Sequence, residues 1–100
     1  MSGRGTLYDP DSRELIAKIV HGGITSNVEP GGHLLIRAEF YVLEEIKAVL
    51  PYLQGGRVWA RLAGGLEGPA SIEGHAEPGR LISGRLRSCG DWVAQPLPAA

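Results

Sequence analysis

Several residue types are scarce in this chain, and each shortage narrows what the protein can be. Cys89 is the only cysteine, so no disulfide can form within the chain and a reducing compartment is expected. No apolar run is long enough to span a bilayer, and the first residues, MSGRGTLYDP, lack the apolar core of a signal peptide. The formal net charge is only −1, which gives the whole chain no field to attract nucleic acid or an anionic membrane. We therefore expect a cytoplasmic protein with no membrane contact.

Glycine, in contrast, is abundant, at 15 of 100 residues, about twice its average usage. Many of these glycines come in pairs between alternating apolar and polar segments, which is typical of short strands joined by tight turns. An apolar content of 43% is ordinary for a globular chain of this length. We expect one domain over residues 1–100, ending in a short proline-containing tail at 96–100.

The clearest pattern in the chain lies between Gly32 and Val42, where every second residue is apolar. A period of two places alternate side chains on opposite faces of a sheet, so this stretch predicts a central strand. Its buried face is expected to consist of Leu34, Ile36, Ala38, Phe40 and Val42. Together with the central strand, shorter alternating segments predict six to seven strands in a meander-like order: 4–8, 13–21 with a continuation at 24–28, 57–63, 69–77, 80–87 and 91–95.

These segments predict a mainly β fold, either a small antiparallel barrel or a sandwich. Periodicity defines the faces of a sheet but leaves open whether the sheet closes on itself. From residue 43 the apolar spacing changes to that of a helix, with the stripe Leu43, Ile46, Val49, Leu50 and Leu53. Because Pro51 would break a longer helix, we expect one short α-helix at about residues 43–50.

One predicted hairpin is expected to gather charged side chains. We predict that Arg61 faces Glu73 across the strands 57–63 and 69–77. That register also places Trp59 beside His75 and Arg57 opposite Glu77. We choose it because opposite charges that face each other across strands are favourable.

Arginines beside an aromatic side chain are typical of small barrels that bind single-stranded nucleic acid. The candidate binding residues on this outer side are Arg57, Trp59, Arg61, His75, Arg85 and Arg87. Two glutamates in the same rows would neutralise these arginines, and the chain is slightly acidic. Nucleic-acid binding is therefore an alternative prediction and not the leading one.

The sequence contains no motif that indicates catalysis or metal binding. The histidines and Cys89 are scattered singly, without the close pairs from which zinc sites are assembled. The glycine-rich stretch Gly64–Gly68 leads into a strand and not into the helix that a phosphate-binding loop requires. We predict no catalytic residue, no metal and no cofactor; a small enzyme or ligand-binding barrel with a pocket stays open as a second alternative.

Large apolar residues also fall on rows expected to face outward. A domain with one solvated face should not expose many such side chains, so either the sheet packs on both faces or a second copy covers it. We expect self-association, with a dimer favoured, through Ile16, Val20, Leu35 and Tyr41. The leading prediction is a non-catalytic β-sheet binding or assembly module.

Overall fold

The computed structural model describes residues 3–30 and 34–94. The chain forms a closed antiparallel barrel of six strands with one extra strand, which confirms the predicted mainly β fold and decides for the barrel. In chain order the strands are β1 (Gly3–Tyr8), β2 (Leu15–His21), β3 (Thr25–Val28), β4 (Leu34–Glu45), β5 (Gln54–Arg61), β6 (Leu66–His75), β7 (Ser83–Ser88) and β8 (Val93–Ala94). The predicted tail at 96–100 lies outside the described residues.

The barrel consists of two three-stranded meanders joined along both edges. β1, β2 and β4 form the first meander, and β5, β6 and β7 form the second. One seam pairs β1 with β5, and the other pairs β4 with β7. β3 continues β2 along the edge of β4, and β8 continues β7 along the edge of β6. The strand order is therefore sequential only within each half.

β4 is the central strand that the alternating pattern predicted. Its even-numbered side chains point inward, with exposed fractions of 1% for Ile36, 7% for Ala38, 1% for Phe40 and 5% for Val42. Burying each of the larger ones is worth about 1.5–3 kcal/mol. Gly32, His33 and the side chain of Leu34 lie outside the described part. The strand also runs three residues past Val42, to Glu45.

The α-helix predicted at 43–50 is wrong. Residues 43–45 belong to β4, where Glu44 pairs with Lys18 and Glu45 with Ala17, and helical structure in the described residues is limited to two short 3₁₀ turns at Leu50–Tyr52 and Ala63–Gly65. The backbone N–H groups of Ile46 and Lys47 then donate to the carbonyl of Ile16, at 2.8 and 2.9 Å. The backbone of β2 thus provides the hydrogen-bond acceptors for these N–H groups, which in a helix would be carbonyls of the preceding turn. The apparent helical stripe divides accordingly, since Val49 and Leu53 enter the core while Leu43, Ile46 and Leu50 are exposed.

Ile16 does not face outward, as its place in the alternation predicted. Leu7 pairs with Ala17 and Tyr8 with Leu15, so Ile16 is the extra residue of a β-bulge. A bulge interrupts the alternation of faces, which lets both Ile16 and Ala17 enter the core with no exposed surface. Ile16 therefore has no surface that a second copy could contact.

The register predicted for the β5–β6 hairpin is also wrong, by six residues. Arg61 pairs with Glu67, Trp59 with Pro69 and Arg57 with Ser71. β6 begins at residue 66 because Gly64 and Gly65, with φ of 84° and 79°, turn the chain earlier than expected. Since six is an even number, the inward and outward faces of both strands are as predicted.

The turn between β1 and β2 is organised by the carboxylate of Asp9. Its Oδ1 accepts hydrogen bonds from the backbone N–H groups of Asp11 and Ser12, and its Oδ2 accepts one from the hydroxyl of Tyr52. These bonds, the backbone bond from Ser12 foremost, lower the pKa of Asp9 from 3.8 to about 2. The ionised carboxylate therefore ties the first hairpin to the 3₁₀ turn that precedes β5.

We predict that Asp9→Asn removes part of the acid sensitivity of the fold. A lowered pKa means that the ionised group stabilises the folded state fully above pH 3.8 and loses this effect as the pH falls toward about 2. Thermal unfolding followed between those two pH values should show a smaller loss of melting temperature in the variant than in the wild type. Equal slopes would contradict the role given to this carboxylate.

We also predict that Gly84→Ala destabilises the barrel by about 1–3 kcal/mol, as overpacking of a filled core does. A Cβ on Gly84 would lie 2.5 Å from the carbonyl oxygen of Glu73 and 2.8 Å from Cζ of Phe40. Gly22→Ala is the matched control, because its Cβ would meet only the carbonyl oxygen of Glu39, at 4.0 Å. Urea denaturation measures both variants, and equal stabilities for the two would contradict the packing of β7 between β4 and β6.

Candidate functional site

Three arginines share one row across the outer face of the barrel. Arg57 on β5 pairs with Ser71 on β6, Ser71 pairs with Arg87 on β7, and Arg87 pairs with Arg37 on β4. We name Arg37, Arg57 and Arg87 the basic row. Neighbouring strands lie about 4.8 Å apart, so the row spans about 15 Å.

Arg37 and Arg87 are especially close. The N–H of Val42 donates to the carbonyl of Ile82 at 2.8 Å, which makes those two residues a hydrogen-bonded pair of the β4–β7 ladder. Hydrogen-bonded and non-hydrogen-bonded pairs alternate along an antiparallel ladder, so Ala38 and Leu86 form a hydrogen-bonded pair. Arg37 and Arg87, the next pair along, are therefore a non-hydrogen-bonded pair. In such pairs the Cα atoms are about 4.5 Å apart and the side chains are at their closest. Two like charges directly opposite each other destabilise a sheet.

The next row combines acids with a base. Arg85 on β7 pairs with Glu39 on β4 and with Glu73 on β6. With one arginine and two glutamates, this acid–base row has a net charge of −1. It lies about 7 Å from the basic row along the strands. Within the described part of the chain, none of Arg37, Arg57, Arg85 and Arg87 is in an ion pair. Their guanidinium groups are exposed and available to a ligand.

A groove of about 600 Å³ is lined by Arg37 and Arg87 of the basic row and by the acid–base row, while Arg57 lies outside it. Gly22 and Gly23, in the connection between β2 and β3, also line the groove. They have no side chains that could fill the groove. The charged and hydroxyl side chains that line it are Arg37, Arg85, Arg87, Glu39, Glu73, Ser71 and Thr25. The groove lies outside the barrel, since the interior is filled by core side chains.

Two of the predicted binding residues lie elsewhere and already have partners. Nε of Arg61 donates to Glu67 at 2.7 Å, and this hydrogen bond raises the pKa of Arg61. The guanidinium of Arg13 lies 3.9 Å from the centre of the Trp59 ring, so one face of that ring is covered. The predicted platform of Trp59 between two free arginines is not formed in this arrangement. Single-stranded nucleic-acid binding through these residues stays a prediction.

His75 lies at the margin of the acid–base row. It is exposed, its Nε2 is 3.8 Å from Glu77, and it lines a neighbouring groove of about 560 Å³ together with Arg85 and Glu73. Of the six residues predicted to bind, the structure thus gathers Arg57, Arg85 and Arg87, with His75 nearby. Trp59 and Arg61 are not part of this group.

Sequence reasoning missed Arg37 and His21. Arg37 was assigned to the polar face of the central strand, but nothing in the sequence indicates that Arg87 is its cross-strand neighbour. His21 is 3% exposed, its Nδ1–H donates to the carbonyl of Gly22, and its Nε2 accepts the N–H of Ala63. His21 is therefore a structural residue and not a surface histidine.

A second surface is apolar and centres on Tyr41. Tyr41 is 53% exposed and pairs with Val20 on β2, and Leu43, two residues further along β4, is 47% exposed. Leu81, which is 57% exposed, precedes β7 and adjoins Ile82, whose carbonyl accepts the N–H of Val42. We name Val20, Tyr41, Leu43 and Leu81 the apolar face. Leu35, the remaining predicted contact, lies six residues from Tyr41 on β4, about 20 Å away. It is half-buried and not part of this face.

The described residues contain no group of three or more histidine, cysteine, aspartate and glutamate side chains that could hold a metal ion. In the same residues, no helix has the length and apolar composition needed to cross a membrane. Comparison of the chain with protein-family models, with curated proteins and with solved structures gives no match. Functional inference therefore depends on the two surfaces themselves.

We predict that Arg87→Glu stabilises the protein by about 0.2–1 kcal/mol, because it replaces a like-charge pair with an opposite-charge pair beside Arg37. Arg80→Glu is the control, since Arg80 already pairs with Glu77 and its replacement should not stabilise. Urea denaturation at low salt measures the difference, and about 1 M salt should abolish it. Lower stability of Arg87→Glu at low salt would show that the two arginines are not direct neighbours.

Proposed function

We propose that this protein is a non-catalytic assembly module that forms a homodimer through the apolar face. The observation that supports this most directly is Tyr41, a large side chain that is 53% exposed in the middle of a paired strand. Val20 lies directly opposite it, and Leu43 and Leu81 extend the same surface. Contiguous apolar surface on a domain is typical of a contact site.

A second copy of the chain is the partner that this surface fits best. The ion pair between Lys18 and Glu44, both more than half exposed, lies beside the apolar face. Two opposite charges on one rim allow two copies to meet about a two-fold axis without net repulsion. In an isologous contact of this kind each copy contributes the same apolar face, so the total apolar area buried is twice that of one face.

The proposed dimer is weak and depends on concentration. Four apolar side chains cover less surface than the roughly 800 Å² per partner of a standard stable interface. We also propose a cytoplasmic location, which the exposed, unpaired Cys89 supports because a reducing compartment keeps thiols free.

Analytical ultracentrifugation from about 1 μM to about 500 μM should show a monomer–dimer equilibrium in the wild type. Tyr41→Glu should raise the dissociation constant by about tenfold or more, because it puts a charge at the centre of the contact. Val28→Glu is the matched control: Val28 is 74% exposed but lies on β3, outside the apolar face. A wild type that stays monomeric throughout, or equal effects of the two variants, would contradict the proposal.

A further inference from the structure

The groove lined by Arg37 and Arg87 has the size and chemistry of a ligand site. Its volume of about 600 Å³ lies within the range of roughly 300–1,000 Å³ that is usual for small-molecule sites. Arg37 and Arg87 face each other there, and no carboxylate of residues 3–30 or 34–94 forms an ion pair with either, although such a like-charge pair costs stability. Departures from favourable pairing are concentrated at functional sites in natural proteins.

We infer that this groove binds a nucleoside phosphate. Guanidinium groups bind phosphate oxygens through two parallel hydrogen bonds, and Arg37 and Arg87 present two such groups side by side. The exposed hydroxyl of Thr25, which pairs with Arg37 from β3, can donate a further hydrogen bond to the same phosphate. The phosphate end of the ligand therefore lies between Arg37 and Arg87.

The acid–base row defines the other end of the ligand. Glu39 and Glu73 lie about 7 Å from the basic row and can only accept hydrogen bonds when ionised. They suit the ribose hydroxyl and amino groups of a nucleoside. A bare polyphosphate would meet two negative charges at this end, so the groove favours a ligand with phosphate at one end and donors at the other.

A single-stranded nucleic acid fits the groove less well. Among the described residues that line it, none is aromatic, so the bases would have no ring on which to stack. Glu39 and Glu73 would also repel the next phosphates along a strand. The inference concerns binding alone and does not depend on the proposed dimer.

Isothermal titration calorimetry tests the inference, with ATP, GTP, CTP and UTP as separate probes in buffer that contains EDTA. At least one should bind saturably with a dissociation constant below about 1 mM. Arg37→Ser and Arg87→Ser should each weaken that binding by about tenfold or more, since each removes charge-assisted hydrogen bonds. Arg80→Ser is the control, because it removes one positive charge outside the groove and should leave binding within about twofold.

Urea unfolding of the same variants shows whether weaker nucleotide binding results from loss of the site or from loss of the fold. Arg37→Ser and Arg87→Ser should unfold at urea concentrations equal to or above that of the wild type, because each relieves the like-charge pair. Weaker binding together with undiminished stability supports the inference. It is overturned if no nucleotide binds below about 1 mM, if Arg80→Ser weakens binding as much as the groove variants, or if ten-residue oligothymidylate binds and mononucleotides do not.

Discussion

The barrel depends on the pairing of β4 along both of its edges. One edge pairs with β2 and then β3, and the other pairs with β7. The same twelve-residue strand sends Ile36, Phe40 and Val42 into the interior. This one strand joins the two meanders and also supplies the centre of the core. Closure of the barrel and packing of the core therefore depend on the same residues. Each meander alone would leave exposed the apolar face that the other covers in the barrel.

Small local features allow the strands to curve enough to close. The bulges at Ile16 and Leu43 interrupt the β1–β2 and β2–β4 ladders, and bulges bend and twist the strand that contains them. Gly84 lets β7 lie close to Phe40 and to the backbone of β6. Gly68 likewise lets the Trp92 ring pack directly against the backbone of β6. The indole N–H of Trp92 donates to the carbonyl of Pro69 on the same strand, at 2.7 Å.

The faces of the strands could be predicted from the sequence because alternation depends only on the residue itself and its neighbours in the chain. The partners of each strand could not, because pairing is decided by turns and by distant edges. The hairpin of Arg61 shows the difference: its face is as predicted, while its partner is Glu67 and not Glu73. The stripe from Leu43 to Leu53 matched a helix in spacing, but the edge of β2 held its first residues as strand.

The same limit applies to the candidate site. Arg57, Arg85 and Arg87 could be placed on the outer side from alternation alone, but the row needs Arg37, which comes from a strand that is remote in sequence. Tyr41 and Val20 were likewise predicted to face outward, while the bulge that takes Ile16 inward has no signal in the alternation. Residues on one face can thus be read from one segment, whereas a site needs the strand order.

The central claim is that β4 has strand neighbours on both sides, and nuclear Overhauser effects measured on the folded protein test it most directly. The account predicts contacts from the backbone protons of Phe40 both to those of His21 on β2 and to those of Gly84 on β7. If Phe40 shows no contact to His21, the barrel is open between β2 and β4 and the core described above is wrong. If it shows no contact to Gly84, Arg37 does not lie beside Arg87 and the basic row is wrong as well.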